Sequence, residues 1–200
     1  MRITNHVDGR ITKCEFRSEP ITIRVNKFNE ETAKAFSVAM SKAHESDQPV
    51  IPIVIDSYGG IVDSLFSMVS DIQNAEKTIA TIVVGKAMSC GSVLMTMGTD
   101  GYRFIDKNAR VMIHEVSAGD WGKATDFTAR ADEIKRINTQ LFGLMAANCG
   151  KAEDYFVKEM FNRNNADWYL TPEEAIKHGL ANKIHIPKMQ RAVSVDYTFG

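Results

Sequence analysis

Three cysteines are all the thiol chemistry this 200-residue chain carries: Cys14, Cys90 and Cys149. Their number is odd and no two have the CxxC spacing, so neither a disulfide framework nor a thiolate zinc site organises the fold. No apolar run is long enough to cross a bilayer. The N-terminal MRITNHVDGR lacks the apolar stretch of a secretory signal. Basic residues show no excess: 24 Lys and Arg stand against 25 Asp and Glu, for a net charge of −1. That balance, without a Lys/Arg cluster, excludes the electrostatic footprint of a nucleic-acid binder. Internal repeats, low-complexity segments and phosphate- or adenine-binding signals are also missing. A reducing, cytoplasmic setting without membrane, metal or cofactor is the simplest expectation.

What is there is ordinary globular material, 44% hydrophobic and 24% charged. The length suits one domain, residues 1–200, with one sizeable core and room for a protruding element. Asp8-Gly9 between two β-prone arms predicts an N-terminal hairpin over residues 1–20. Asn29 caps a helix with Phe36, Met40 and Ala43 on one face. VIPIVID (50–56) reads as a buried strand, with Pro52 placing it near an edge or an irregularity. The turn SYGG (57–60) leads into a helix with Leu65, Phe66, Val69 and Ile72 inward, and TIATIVV (78–84) follows as a strand. That is a βαβ unit with parallel pairing. Ser89 opens a helix through Met97, and YRFI and RVMIHEV supply further strands. Phe127, Ile134, Ile137, Leu141, Leu144 and Met145 are helically spaced in 124–149, after a turn at Gly119-Asp120-Trp121-Gly122. Tyr155, Phe156, Met160 and Phe161 mark a short helix. Thr171-Pro172-Glu173-Glu174 is a capping box, and Gly179 ends its helix. IPKMQRAVSVDYTFG, the last segment, fits a strand or a loose tail.

The stretch KAMSCGS (86–92) poses the chemical question. Small residues on both sides of Ser89 suit a sharp strand-to-helix turn, where bulky side chains would collide. Unpaired N–H groups at that helix start, Cys90 first among them, are what an oxyanion hole needs. The Gly59-Gly60 junction is the second source of such donors. Both junctions read equally well as plain βα turns. Of the five histidines, His6 lies near the terminus and His185 in a terminal strand. His44 and His178 lie in last helical turns, where the dipole accounts for them. His114 shares a strand face with Met112 and Val116, the usual place of a satisfied core histidine, and gains interest from Ser89 on a neighbouring element. For an orienting acid, Asp56, Asp63 and Asp71 compete with Asp167. Only Asp167 lies in an extended segment beside aromatics, where burial would favour pairing with a histidine.

These segments together resemble the proteolytic subunit of the Clp protease family, over residues 50–183. IDSYGGIVDS is similar to its strand-turn-helix, GKAMSCGSVL to its nucleophile turn and RVMIHEV to its histidine strand. DWYLTPEEAIKHGLANKI is similar to its aspartate segment and closing helix, and residues 117–149 to its protruding handle. The chain order Ser, His, Asp agrees with this family. The resemblance implies an α/β fold of the Clp/crotonase type, built of repeated β-β-α units with a handle helix. It implies Ser89 as nucleophile, His114 as base and then acid, and Asp167 as orienter, with Gly60 and Cys90 supplying oxyanion-hole N–H groups. Substrate would bind as an extended strand alongside residues 60–63 and the segment after His114. The function implied is a serine endopeptidase acting on unfolded polypeptides inside heptameric rings, stacked as a tetradecamer and fed by a AAA+ unfoldase.

The chain departs from the family pattern at several places. Tyr58 replaces the usual proline, Cys90 a methionine, Glu115-Val116 a Gln-Pro pair, and Ala166 an arginine of ring–ring contacts. In the family's aromatic docking pocket for the unfoldase, Pro52 and Val54 replace tyrosines, Asn74 replaces a phenylalanine, and Phe104 is retained. Weak docking of a standard unfoldase is the expectation. The other readings are a virus-encoded processing protease, a regulatory ring paralogue and a crotonase-fold acyl-CoA enzyme. The last gives Ser89 and His114 no joint role.

Overall fold

Two apolar strands set the architecture, β2 (Val50–Ser57) and β3 (Thr78–Met88), linked by helix α2 (Val62–Gln73). Every residue from Ile51 to Ile55 and from Ile79 to Val83 is buried, as a parallel sheet covered on both faces requires. This is seen in a computed structural model that describes residues 20–116 and 124–188, and only the backbone of residues 124–127. All but the last residue of the hairpin expected at 1–20, the turn at 119–122 and the tail beyond 188 lie outside the described residues. Ile21–Ile186 form one compact unit.

Seven strands of the described residues make one sheet. β1 (Ile23–Val25) pairs parallel with β2 and β2 with β3, confirming the expected βαβ unit. Pro52 pairs across to Ala80, one position before the first β1–β2 pair at Ile53. The irregularity falls elsewhere, between Ile55 and Ser57. β3 runs four residues past its expected end at Val84 and serves two neighbours in turn. Thr81–Val83 pair with β4 (Arg103–Ile105), whereas Lys86–Met88 pair with β5 (Arg110–Ile113). β7 (Lys183–Ile184) extends the sheet from β4, and β6 (Trp168–Leu170) lies antiparallel on β5. The fold is α/β with a sheet dominated by parallel pairs.

Helix ends follow local chemistry. The α1 helix (Glu30–Glu45) starts with a reciprocal box in which Asn29 Oδ1 accepts from Thr32 N–H. Helix α6 (Pro172–Lys177) starts with the expected Thr171/Glu174 box. Such caps contribute about 1 kcal/mol each. In α2 the buried stripe is Leu65, Met68, Val69 and Ile72, with Phe66 only half-buried. The long helix α4 (Ala124–Asn148) buries Leu141, Phe142 and Met145 of its C-terminal half, while residues 128–133 are exposed. In α5 (Tyr155–Phe161) Phe156 and Met160 face the core, but Phe161 is exposed.

Helix dipole is not what accounts for His178. Its Nδ1 lies 2.6 Å from the Tyr155 hydroxyl, and Trp168 packs edge-on at 4.7 Å. Burial pushes its pKa below the ordinary histidine value. A charged imidazolium at the helix end is replaced by a neutral ring inside an aromatic cluster that anchors β6.

Candidate active site

Register decides which residues meet. β3 ends at Met88, paired with Met112 of β5. β5 ends at Ile113, paired with Trp168 at the start of β6. Ser89, His114 and Asp167 are each the first residue beyond one of these strand ends. Extending the β5–β6 register by one step sets Asp167 opposite His114, so three positions far apart in sequence converge at one sheet margin.

Ser89 has φ 55 and ψ −122, a conformation that side chains rarely adopt. Its backbone is held there from both sides. Ser89 N–H donates to the Met112 carbonyl at 2.9 Å, and the Ser89 carbonyl accepts from Ser92 N–H at 2.9 Å and Ser92 Oγ at 2.7 Å. The strained turn presents Oγ outward, 2.7 Å from His114 Nε2. Behind the ring, His114 Nδ1 stands 3.9 Å from Asp167 Oδ1. The expected burial of Asp167 does not occur. Its carboxyl is 52% exposed although Trp168 beside it is buried.

The second junction is built to approach Ser89. A Cβ on Gly59 (φ +106) would lie 2.7 Å from Ser89 Cβ, and one on Gly60 (φ +150) would lie 2.3 Å from the Phe28 carbonyl. No side chain fits at either place. Phe28 N–H donates to the Gly59 carbonyl at 3.3 Å, and Ile61 N–H donates to the Phe28 carbonyl at 2.9 Å. The Cys90 thiol donates to the Gly60 carbonyl at 3.4 Å. Among the described residues, no backbone acceptor engages the N–H of Gly60 or of Cys90. Burial pushes the Cys90 thiol above its ordinary pKa, so it stays protonated at neutral pH.

A cavity of about 90 Å³ opens beside Ser89 and His114. Val62, Val93, Ile113, Leu141, Phe142 and Met145 give it an apolar wall. The C-terminal half of α4 closes it, and Asn138 of that helix accepts the Val116 N–H at 2.7 Å. Neither Asn138 nor Phe28 stands out in the sequence. Their work is done by one side-chain oxygen and by backbone, which leave no pattern to read. Among the described residues no group of three or more His, Cys, Asp or Glu could hold a metal. No described helix is long and apolar enough to cross a membrane.

A serine on a strained turn, an imidazole at hydrogen-bond distance and an apolar cavity form a hydrolase-like constellation. The family model described as Clp protease matches residues 11–188. The chain belongs to the Clp protease family. Its α/β architecture, parallel-dominated sheet and long α4 helix are consistent with that membership, which supports a peptidase activity.

Proposed function

We propose that this Clp family member is a serine endopeptidase, one peptidase domain that cleaves unfolded polypeptides through an acyl-enzyme. The observation that carries the reading is the 2.7 Å approach of His114 Nε2 to Ser89 Oγ on a strained turn. His114 takes the hydroxyl proton as Ser89 Oγ attacks the scissile carbonyl, then gives it to the leaving amine. The N–H groups of Gly60 and Cys90 receive the developing oxyanion. Asp167, its Oδ1 3.9 Å from His114 Nδ1, stabilises the imidazolium electrostatically. The cavity favours a medium-sized apolar side chain before the scissile bond, such as leucine or methionine.

A fluorophosphonate probe tests this assignment directly. Its phosphorus bonds Ser89 Oγ with loss of fluoride, and peptide mapping should find the adduct on Ser89. An adduct on Cys90, or none, would overturn the reading.

The family suggests an oligomeric protease, and we propose the heptameric ring, singly or in a stacked pair, with the handle helix in the ring–ring contact. Light scattering should then give a mass many times the 22.3 kDa of one chain. A monomer active on peptides would refute it. A AAA+ unfoldase partner would dock in a non-standard way. Phe104 is buried, with the His185 ring edge-on at 5.2 Å and Lys183 Nζ 5.5 Å over its face, and Val54 is buried with it. Because aromatic anchors commonly contribute 2 kcal/mol or more, roughly, to an interface, a generic Clp unfoldase should stimulate degradation of a folded substrate weakly or not at all. Robust degradation would show the substitutions to be immaterial.

A further inference from the structure

The SYGG turn carries an exposed ring that the proposed mechanism leaves without work. Tyr58 is 72% exposed, yet it is held in place. Lys86 Nζ sits 4.4 Å from its ring centroid, and the same ammonium donates to Asp56 Oδ1 at 2.7 Å. Asp56 in turn leans on Gly85, where a Cβ would come within 2.8 Å of the carboxylate oxygen. One face of the ring is therefore occupied by a charge-compensated cation. Its exposure leaves the other face to solvent.

The position of this ring follows from strand direction. On the serine peptidase reading, on which this inference rests, the residue before the scissile bond fills the cavity walled by Val62 and Val93. Its carbonyl meets the N–H groups of Gly60 and Cys90. The extended stretch ends at Ile61, where α2 begins, so a substrate lying antiparallel to Gly60–Ile61 runs its earlier residues past Ile61 toward the start of α2. The residues after the scissile bond then run the other way, past Gly59 to Tyr58. Neither Tyr58 nor Lys86 lines the cavity that takes the preceding residue.

We propose that Tyr58 is the platform for the side chain that follows the scissile bond, and that it selects an aromatic one. A ring with one face held loses little freedom when a second ring stacks on the other. A cationic side chain gains little there, because Lys86 already uses the ring's electron-rich field. Peptide segments with phenylalanine, tyrosine or tryptophan after a leucine or methionine would be the favoured cleavage sites.

Acyl-transfer partitioning tests this. A peptidyl-leucine methyl ester acylates Ser89 with release of methanol, and the acyl-enzyme then divides between water and an added amino-acid amide. In the second route the amine nitrogen bonds the acyl carbon, the Oγ–carbon bond breaks, and His114 carries the amine proton to Oγ. Phenylalanine amide should be favoured over alanine amide by about three- to tenfold, the range of an aromatic pair, and argininamide should show no such advantage. Tyr58→Phe should keep the preference, and Tyr58→Ala should bring the two amides within about twofold of each other. A flat partition in the natural protein, or a preference that survives Tyr58→Ala, overturns the proposal. So does a Tyr58→Ala variant whose particle mass falls while its partition stays unchanged, since the ring would then serve a contact between copies. If the ester fails to acylate Ser89, the peptidase reading falls together with this one, whereas acylation with a flat partition sinks this one alone.

Discussion

Ser89→Ala is expected to lower peptide hydrolysis by at least about ten-thousand-fold, the scale on which removing an activated nucleophile acts. The fold should survive, because no backbone contact of residue 89 depends on its hydroxyl. Cys90→Ala keeps the backbone N–H and loses a buried thiol with its 3.4 Å contact to the Gly60 carbonyl, so its activity should fall by no more than about tenfold. Steady-state kinetics on a short fluorogenic peptide would separate the two. If Cys90→Ala proves the dead variant, the nucleophile has been misassigned. Thermal unfolding adds a second readout. At φ 55 and ψ −122 a side chain is strained and glycine is not, so inactive Ser89→Gly should be more stable than Ser89→Ala by about 1 kcal/mol. An unchanged or lower melting temperature would mean that the turn stores no strain.

The second large effect is expected at Gly60. An alanine there would place Cβ 2.3 Å from the Phe28 carbonyl oxygen, against backbone that Ile61 and the Phe28–Gly60 bridge hold in place. Relaxation must displace the Gly60 peptide, and with it the N–H that the proposed mechanism assigns to the oxyanion. We expect kcat to drop by about 10²- to 10³-fold, as for loss of one oxyanion donor, and stability to fall by about 3 kcal/mol from steric and dihedral strain together. KM should change much less than kcat. Gly101→Ala is the internal control. Its φ is +82, but nothing lies within 4 Å of the added Cβ, so only the dihedral cost of about 1 kcal/mol applies. Equal effects at the two sites would show that close approach at Gly60 is unimportant.

Elements whose determinants are local were legible in the chain. The capping residues Asn29 and Thr171 act on N–H groups three residues away, and the apolar runs of β2 and β3 announce burial by themselves. The small residues around Ser89 pointed to a sharp turn for a steric reason that needs no tertiary context. The choice among Asp56, Asp63, Asp71 and Asp167 was not legible without the family resemblance, because a carboxylate does not encode its neighbours. His178 shows the same limit. A histidine in a last helical turn suggests a dipole contact, but Tyr155 and Trp168, both distant in sequence, made it a buried neutral ring.

By itself the sequence determined the parallel α/β class, the helix boundaries set by caps, and the residue types from which a serine nucleophile, a histidine base and an oxyanion hole can be drawn. Tertiary structure alone decided how they meet. The two-part pairing of β3, the register of β5 against β3 and β6, and the seating of Phe28 under Gly60 bring three strand ends to one margin. A one-residue slip between β3 and β5 would turn His114 away from Ser89, and one between β5 and β6 would turn Asp167 away from His114. Register is chosen by the burial of whole strands, including Val111, Ile113, Trp168 and Leu170, and that sum over distant contacts is written in no single stretch of the chain.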